Sequence, residues 1–146
     1  MITLRSASAD DYGFLWELHR TAMKPYVEAT WSWDETWQAN YFRAHFEPTR
    51  CQIIQAEGVD IGALAVETRP DCVLLARIAI LPAYQRAGIG TAIIRRVLEH
   101  AAHQGLPVRL QVLKVNPARH LYERLGFEVT GETETHYLMS MGADPV

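Results

Sequence analysis

The stretch Ile78-Ala79-Ile80-Leu81-Pro82-Ala83-Tyr84-Gln85-Arg86-Ala87-Gly88-Ile89-Gly90-Thr91 joins an apolar strand to a helix through a loop spaced by glycines. The first amide groups of a helix lack intrahelical partners and carry the positive end of the helix dipole. Gly88 and Gly90 let the backbone approach a ligand closely, and Arg86 can add a charged guanidinium to the same oxygens. The stretch therefore predicts a binding loop for a phosphate group.

Two common phosphate loops do not fit this segment. The dinucleotide-binding pattern needs a third glycine where Ile93 stands, and the P-loop needs a Gly-Lys pair, which the chain lacks. The segment resembles instead the acyl-coenzyme A loop of the GNAT superfamily of N-acetyltransferases. That pattern is Gln or Arg, two residues, Gly, one residue, and Gly or Ala, and residues 85–90 fill every position.

A second segment supports the resemblance independently. Asn116-Pro117-Ala118-Arg119-His120-Leu121-Tyr122-Glu123-Arg124-Leu125-Gly126-Phe127 resembles the family's other signature, an asparagine followed by a short helix that carries a tyrosine and closes in Gly-Phe. Each motif alone arises by chance, but the ordered pair on the expected elements rarely does. The chain is therefore identified as a member of the GNAT superfamily by resemblance.

Hydrophobic periodicity and turn residues predict the order of elements. We expect a helix that Pro25 ends, and a second helix, capped by Asp34, with Trp37 and Tyr41 at core spacing. The predicted strands are residues 2–5, 51–56, 61–68, 72–81, 108–115, 127–130 and 135–141, and the predicted helices are residues 8–23, 34–46, 85–104 and 116–126. The resemblance implies a single α+β domain over residues 1–146. Its mixed, mostly antiparallel sheet has about seven strands, with splayed parallel strands 4 and 5, and about four helices flank it.

Composition narrows the class of protein. The chain has 146 residues, 49% of them hydrophobic and 21% charged, with a net charge of −3. This length suits one core, and the acidic balance argues against nucleic acid as a partner. Neither cysteine indicates a disulfide or a metal site, and His100 with His103 lacks a third ligand. The start of the chain reads as a strand, and no apolar run reaches membrane-spanning length. We expect a cytoplasmic protein, monomeric or homodimeric, with no metal and no membrane partner.

The resemblance implies acetyl-coenzyme A as cosubstrate and direct attack of a primary amine, on a small molecule or a peptide, on the thioester. It places the oxyanion against the N–H of Ile80, and Tyr122 as the proton donor to the departing thiolate. Many family members carry a basic carboxylate on the central strand, where this chain has Ala76-Arg77, so Glu67, Glu28 and His136 remain alternatives for the base. The residues implied to bind the cofactor are Ile78, Ile80, Gln85, Arg86, Ala87, Gly88, Ile89, Gly90, Thr91, Asn116 and Tyr122.

The acceptor is expected near the loop between the first two helices and the final strands. Tyr26, Glu28, Trp31 and Trp33 in that predicted loop, together with His136, combine aromatic faces with acids, which suits an ammonium on an apolar body. Two alternatives stay open: a catalytically silent acyl-coenzyme A sensor, and a partner module that keeps only the fold. The intact loop and the tyrosine favour the enzyme.

Overall fold

The computed structural model describes residues 1–142. The strands are β1 (Ile2–Ser6), β2 (Gln52–Ala56), β3 (Val59–Thr68), β4 (Val73–Ile80), β5 (Val108–Leu113), β6 (Glu128–Glu132) and β7 (His136–Met141). The α-helices are α1 (Tyr12–Thr30), α2 (Glu35–Ala44), α3 (Ile89–His103) and α4 (Ala118–Arg124). Within these residues, no helix is long and apolar enough to cross a membrane.

The strands form one seven-stranded sheet in the order β1-β2-β3-β4-β5-β7-β6. β4 and β5 run parallel, and their pairing covers Val73 and Leu74 at the start of β4. β1 with β2, β2 with β3, β5 with β7 and β6 with β7 pair antiparallel. These features confirm the predicted fold class, a mixed and mostly antiparallel sheet with parallel strands 4 and 5 and four helices.

The chain divides into two compact units, and β4 contributes to both. Within the described residues, the first unit holds residues 1–65 and 77–87, and the second holds residues 66–76 and 88–142. In the first unit, Leu15 and Leu18 of α1 are buried together with Ile53 of β2 and Ala63 of β3. In the second, many of the buried positions lie on one stripe of α3, on β5 and on β7: Ile93, Ile94, Val97, Ala101, Val108, Leu110, Val112 and Met139.

The entry into α1 is held by an ionic cluster in the first unit. Ser8 and Asp11 form a capping box. Arg5 binds the Asp11 carboxylate through two nitrogens, at 3.0 and 2.8 Å, and Asp60 at 2.9 Å. The Arg5 guanidinium holds the pKa of Asp11 below its ordinary value. The helical segment therefore starts near the predicted residue 8, as a 3-10 turn over Ala9–Asp11 that leads into α1 at Tyr12.

The prediction that Pro25 ends the first helix was wrong, because α1 continues to Thr30. A proline inside a helix removes one backbone hydrogen bond and crowds the preceding turn. Here burial of Val27 and a bond from Thr30 Oγ1 to the Tyr26 carbonyl, at 2.9 Å, stabilise the turn that follows. Tyr26 and Glu28 therefore lie on the last turn of α1, and the loop between the helices shrinks to residues 31–34.

The expectation that Trp37 and Tyr41 are core residues was also wrong. Their exposed fractions are 57% and 50%, and the two rings stack on each other with centroids 5.1 Å apart. Phe42 of α2 and Phe46, two residues beyond the end of that helix, are half-buried against the core instead. Trp37 with Tyr41 and Phe42 with Phe46 both have the four-residue spacing of one helix face. The phenylalanines, which carry no polar atom, form the face that packs on the core.

Candidate active site

The glycine-spaced loop leaves β4 through a short 3-10 turn, Pro82–Tyr84, and its residues 85–88 are exposed. The side chain of Gln85 donates through Nε2 to the Ile80 carbonyl at 2.8 Å and so ties the loop to the end of β4. Arg86 has φ 65° and Gly88 has φ 79°. A left-handed conformation costs a residue with a Cβ about 1–2 kcal/mol. Strained backbone of this kind concentrates at ligand sites.

The loop ends where α3 begins at Ile89, four residues later than predicted, because left-handed Gly88 caps the helix. No side chain caps this terminus, and the first helical bond runs from the Ala92 amide to the Gly88 carbonyl at 3.1 Å. The amides of residues 89–91 precede that bond and have no acceptor within the helix. A Cβ added to Gly88 would meet no protein atom within 4 Å. The terminus is therefore open to an anionic ligand.

The end of β4 is fixed by its contacts with β3. The Leu81 amide donates to the Ile61 carbonyl at 2.8 Å. Because successive amides of a strand point to opposite edges, the N–H groups of Ile80 and Ile78 point away from β3. A Cβ on Gly62 would lie 2.4 Å from the Ala79 carbonyl oxygen. Gly62 therefore allows a close approach that holds the Ile80 backbone in place.

In the second unit, Asn116 and Tyr122 lie at the start and the middle of the segment that carries the second motif. Asn116 Oδ1 accepts from the Ala118 amide at 2.9 Å, so Asn116 caps the first turn of α4. Tyr122 is 7% exposed, and its ring meets Phe127 edge-on at 5.7 Å. Burial raises the pKa of Tyr122 to about 12. Its phenol therefore stays protonated at neutral pH and is available as a donor.

Glu67 and His136 have ordinary polar partners in the second unit. Glu67 Oε2 lies 3.1 Å from Arg69, in an ion pair. His136 Nδ1 lies 2.8 Å from the Thr135 hydroxyl, and its amide donates to Thr133 Oγ1 at 3.0 Å. Their roles as base or acceptor contact stay predictions.

Of the predicted acceptor residues in the first unit, Trp33 is the one held in a cluster of rings. Trp33 is half-buried and lies 6.4 Å from Trp16 and 5.8 Å from His19, measured between ring centroids. Trp31 is 58% exposed. Glu28 is exposed on α1, 3.9 Å from Lys24.

The sequence analysis missed the group that surrounds Trp33. Arg77 of β4 donates to His19 Nδ1 at 3.2 Å, and its guanidinium carbon lies 5.9 Å from the Phe42 ring. His19 Nε2 contacts Gln38 Oε1 at 3.3 Å. We call Trp16, His19, Trp33, Phe42 and Arg77 the Arg77 cluster. The sequence did contain a sign of this cluster, because Arg77 is the charged residue of an otherwise apolar strand.

Comparison with known proteins places the chain in a family. The model of the acetyltransferase (GNAT) family matches residues 13–127. The [ribosomal protein bS18]-alanine N-acetyltransferase of Haemophilus influenzae is 33% identical over 78 residues, which are 53% of this chain and 53% of that protein. The N-acetylaspartate synthetase of Danio rerio is 36% identical over 94 residues, 62% of this chain and 33% of that protein. The matched part thus spans about half of one relative and a third of the other.

Solved structures give the same fold at lower identity. The PaiA N-acetyltransferase of Thermoplasma acidophilum, crystallised with coenzyme A, superposes with a TM-score of 0.81 at 18% identity, covering 98% of this chain and 99% of that chain. This likeness concerns the fold alone. Because the family model covers most of the described residues, the chain belongs to the acetyltransferase (GNAT) family.

Proposed function

We propose that this chain transfers the acetyl group of acetyl-coenzyme A to a primary amine of a small molecule or a peptide. The observation that carries the proposal is the start of α3 at left-handed Gly88, which no side chain among residues 1–142 caps, with Arg86 two residues before it. Membership of the family and the coenzyme A bound to a structural neighbour support the same ligand.

The pyrophosphate of the cofactor would bind the amides of residues 86–91, since the Gln85 amide already donates to the Pro82 carbonyl at 3.2 Å, and Arg86 would add charge. The extended pantetheine carries amides of its own, which suit the strand-like N–H groups of Ile78 and Ile80 that point away from β3. Asn116 and Tyr122 complete the proposed set of cofactor contacts. No metal is needed for this binding, because helix amides and a guanidinium supply the positive charge.

The proposed reaction is aminolysis of a thioester. The lone pair of the neutral amine attacks the carbonyl carbon, a C–N bond forms, and the oxygen takes up negative charge, which the Ile80 N–H stabilises. The C–S bond then breaks and its electron pair leaves with sulfur. The nitrogen gives up a proton to a base, and the sulfur gains one. Amine and acetyl-coenzyme A thus become amide and free coenzyme A.

Tyr122 is our candidate for the donor to the departing sulfur. Its pKa of about 12 lies well above that of an ordinary thiol, so complete transfer of the proton to a free thiolate is uphill. A hydrogen bond that strengthens as charge develops on sulfur escapes this penalty. We therefore propose that Tyr122 stabilises the leaving thiolate by hydrogen bonding while the C–S bond breaks.

The base acts before attack, because an alkyl ammonium of pKa near 10 has no lone pair at neutral pH. Glu67, acting through water, is the proposed base, with Glu28 and His136 as alternatives. Tyr26, Glu28, Trp31, Trp33 and His136 are the proposed acceptor contacts. The names of the relatives support an amine on an amino acid or a peptide as acceptor, since one acetylates an alanine of a ribosomal protein and the other is a synthetase of N-acetylaspartate.

Calorimetric titration with acetyl-coenzyme A tests the cofactor site. Gly88→Ala places a methyl group in the open space before α3, and Gly105→Ala is a matched control. Gly105 has φ 69°, and a Cβ there also meets no atom within 4 Å, so both variants carry similar backbone strain. We expect Gly88→Ala to weaken affinity at least tenfold relative to Gly105→Ala, the loss of about one charged hydrogen bond. Equal affinities in folded variants would remove the loop from the cofactor site.

A further inference from the structure

Arg77 is a half-buried cation without a counter-charge among residues 1–142. Its polar contact is His19, the face of Phe42 lies 5.9 Å from its guanidinium carbon, and the Cys51 thiol is close enough to interact with its charge. Arg5 in the same unit shows the usual arrangement, because it lies between the carboxylates of Asp11 and Asp60. A cation withdrawn from water without an anion is unfavourable, and burial lowers the pKa of Arg77 from its ordinary value.

His19 orients the guanidinium and does not neutralise it. Because Arg77 donates to Nδ1, that nitrogen is the acceptor, and Nε2 carries the proton that it donates to Gln38 Oε1. Burial, together with the charge of Arg77, lowers the pKa of His19. The imidazole therefore stays neutral beside the cation.

The remaining donors of Arg77 are open to a ligand. A guanidinium has five N–H groups, and His19 accepts from one nitrogen. Across the described part of the chain, no buried side-chain nitrogen or oxygen lacks a hydrogen-bond partner. The other nitrogens of Arg77 therefore reach solvent. The guanidinium thus has donors to spare, and the rings that flank its neighbours His19 and Phe42 are those of Trp16 and Trp33.

We propose that Arg77 binds a carboxylate of the acceptor, so that the amines this protein acetylates carry a carboxylate close to the nucleophilic nitrogen. One planar guanidinium matches one planar carboxylate through two parallel hydrogen bonds. Trp16 and Trp33 offer apolar surface to the rest of such a molecule. Arg77 immediately precedes Ile78, a proposed cofactor contact on β4, and this inference rests on the proposed function.

The test compares acceptors that carry this charge with acceptors that lack it, and rates are expressed per neutral amine, because removal of the carboxylate also lowers the pKa of the α-amine. Each free amino acid is assayed beside its α-amide, with coenzyme A release as readout. The α-amides of aspartate and glutamate retain only a side-chain carboxylate, so they separate the two sources of the charge. Hydrogen bonds to a charged group lead us to expect a preference for carboxylate-bearing acceptors on the order of ten- to a hundredfold in kcat/KM. Equal rates for acids and amides in the parent would overturn the inference and leave acetyl transfer standing.

Variants assign the preference to Arg77. Arg77→Met should remove it by raising the KM of the acid while the KM for acetyl-coenzyme A stays within a few-fold. Arg77→Lys should restore part of it, because it keeps the charge and loses the fork. Arg109→Met is the control, since Arg109 is an exposed strand arginine paired with Asp71 at 3.4 Å. A preference that survives in folded Arg77→Met, or a rise in the KM for acetyl-coenzyme A alone, contradicts the proposal.

Binding separates this inference from the proposed function. If the parent acetylates no amine of the panel, the proposed function fails, and calorimetry with the same amino acids and amides judges Arg77 directly. Tighter binding of acids than of amides, lost in Arg77→Met and kept in Arg109→Met, supports the carboxylate site. Identical titrations for acids and amides refute it.

Discussion

Gly62→Ala tests whether close packing of β3 on β4 positions the Ile80 amide. A Cβ at residue 62 would lie 2.4 Å from the Ala79 carbonyl oxygen and 3.3 Å from Ile80 Cα, and ordinary contact begins at 3.4 Å. The backbone must therefore separate by about 1 Å at its nearest point, the difference between 3.4 and 2.4 Å. The nearest atom belongs to the backbone, so a side-chain rotation cannot relieve the clash.

Two magnitudes follow from this displacement. Overpacking of a well-packed core costs about 1–3 kcal/mol, so the free energy of unfolding should fall by that amount. A misplacement of 1 Å costs about a hundredfold in rate when it moves a catalytic group. We expect kcat/KM to fall by about that factor, because the Ile80 amide no longer meets the developing oxyanion.

Urea unfolding and steady-state thiol release measure the two effects. Gly131→Ala is the matched control, because a Cβ there meets Leu138 Cδ1 at 3.4 Å, an ordinary contact. Its stability should stay within about 1 kcal/mol of the parent, and its turnover should be unchanged. Lower stability with unchanged kcat/KM in Gly62→Ala would refute the role of Ile80. Unchanged stability would refute the packing argument itself.

Three further predictions concern single side chains. Tyr122→Phe keeps the buried ring and should lower kcat by about ten- to a hundredfold with cofactor affinity intact, because one hydrogen bond to the developing thiolate is lost. Tyr12→Phe should leave kcat unchanged, and a rate for Tyr122→Phe within a few-fold of the parent removes the hydroxyl from the reaction. Trp33→Ala should raise the KM for the acceptor more than the KM for acetyl-coenzyme A, and Trp37→Ala, at an exposed position, is the control. A lower melting temperature with both KM values unchanged would show that Trp33 has only a structural role. The pKa of His19 in the folded chain lies below its ordinary value of 6.5, so the unfolded chain takes up a proton at this residue first. The free energy of unfolding should therefore fall as the pH drops from 6.5 toward the lowered pKa. This fall should be smaller in His19→Gln, and equal dependence of stability on pH in the two proteins would contradict the prediction.

The fold was predictable where local signals agreed. The glycine-spaced loop, the apolar stripe of α3 and the Asn-Pro start of α4 each specify their element within a few residues of sequence. Pro25 misled because burial of Val27 and the Thr30 bond stabilise a helix that a proline disfavours. The prediction that Trp37 and Tyr41 face the core failed because two adjacent stripes carry aromatic rings at the same spacing. Only packing against the rest of the fold selects between these stripes.

The candidate site was likewise predictable only in part. The loop proposed to bind the cofactor is contiguous in sequence, so its residues were named together. In the Arg77 cluster, the contacting residues His19 and Arg77 lie 58 positions apart in the sequence. The sequence around either residue does not indicate their contact. The sequence analysis noted Arg77 as a departure from the usual carboxylate, and only the fold showed what surrounds it.

Acetyl transfer itself is the central claim, and isotope transfer measures it directly. The purified chain is incubated with acetyl-coenzyme A labelled in the acetyl group and with the panel of amino acids and α-amides. We predict labelled amide on the amine nitrogen, detected by mass spectrometry, in equal amount to the free thiol released. Binding of acetyl-coenzyme A by the folded chain without labelled amide on any acceptor would contradict the account and favour a silent acyl-coenzyme A sensor.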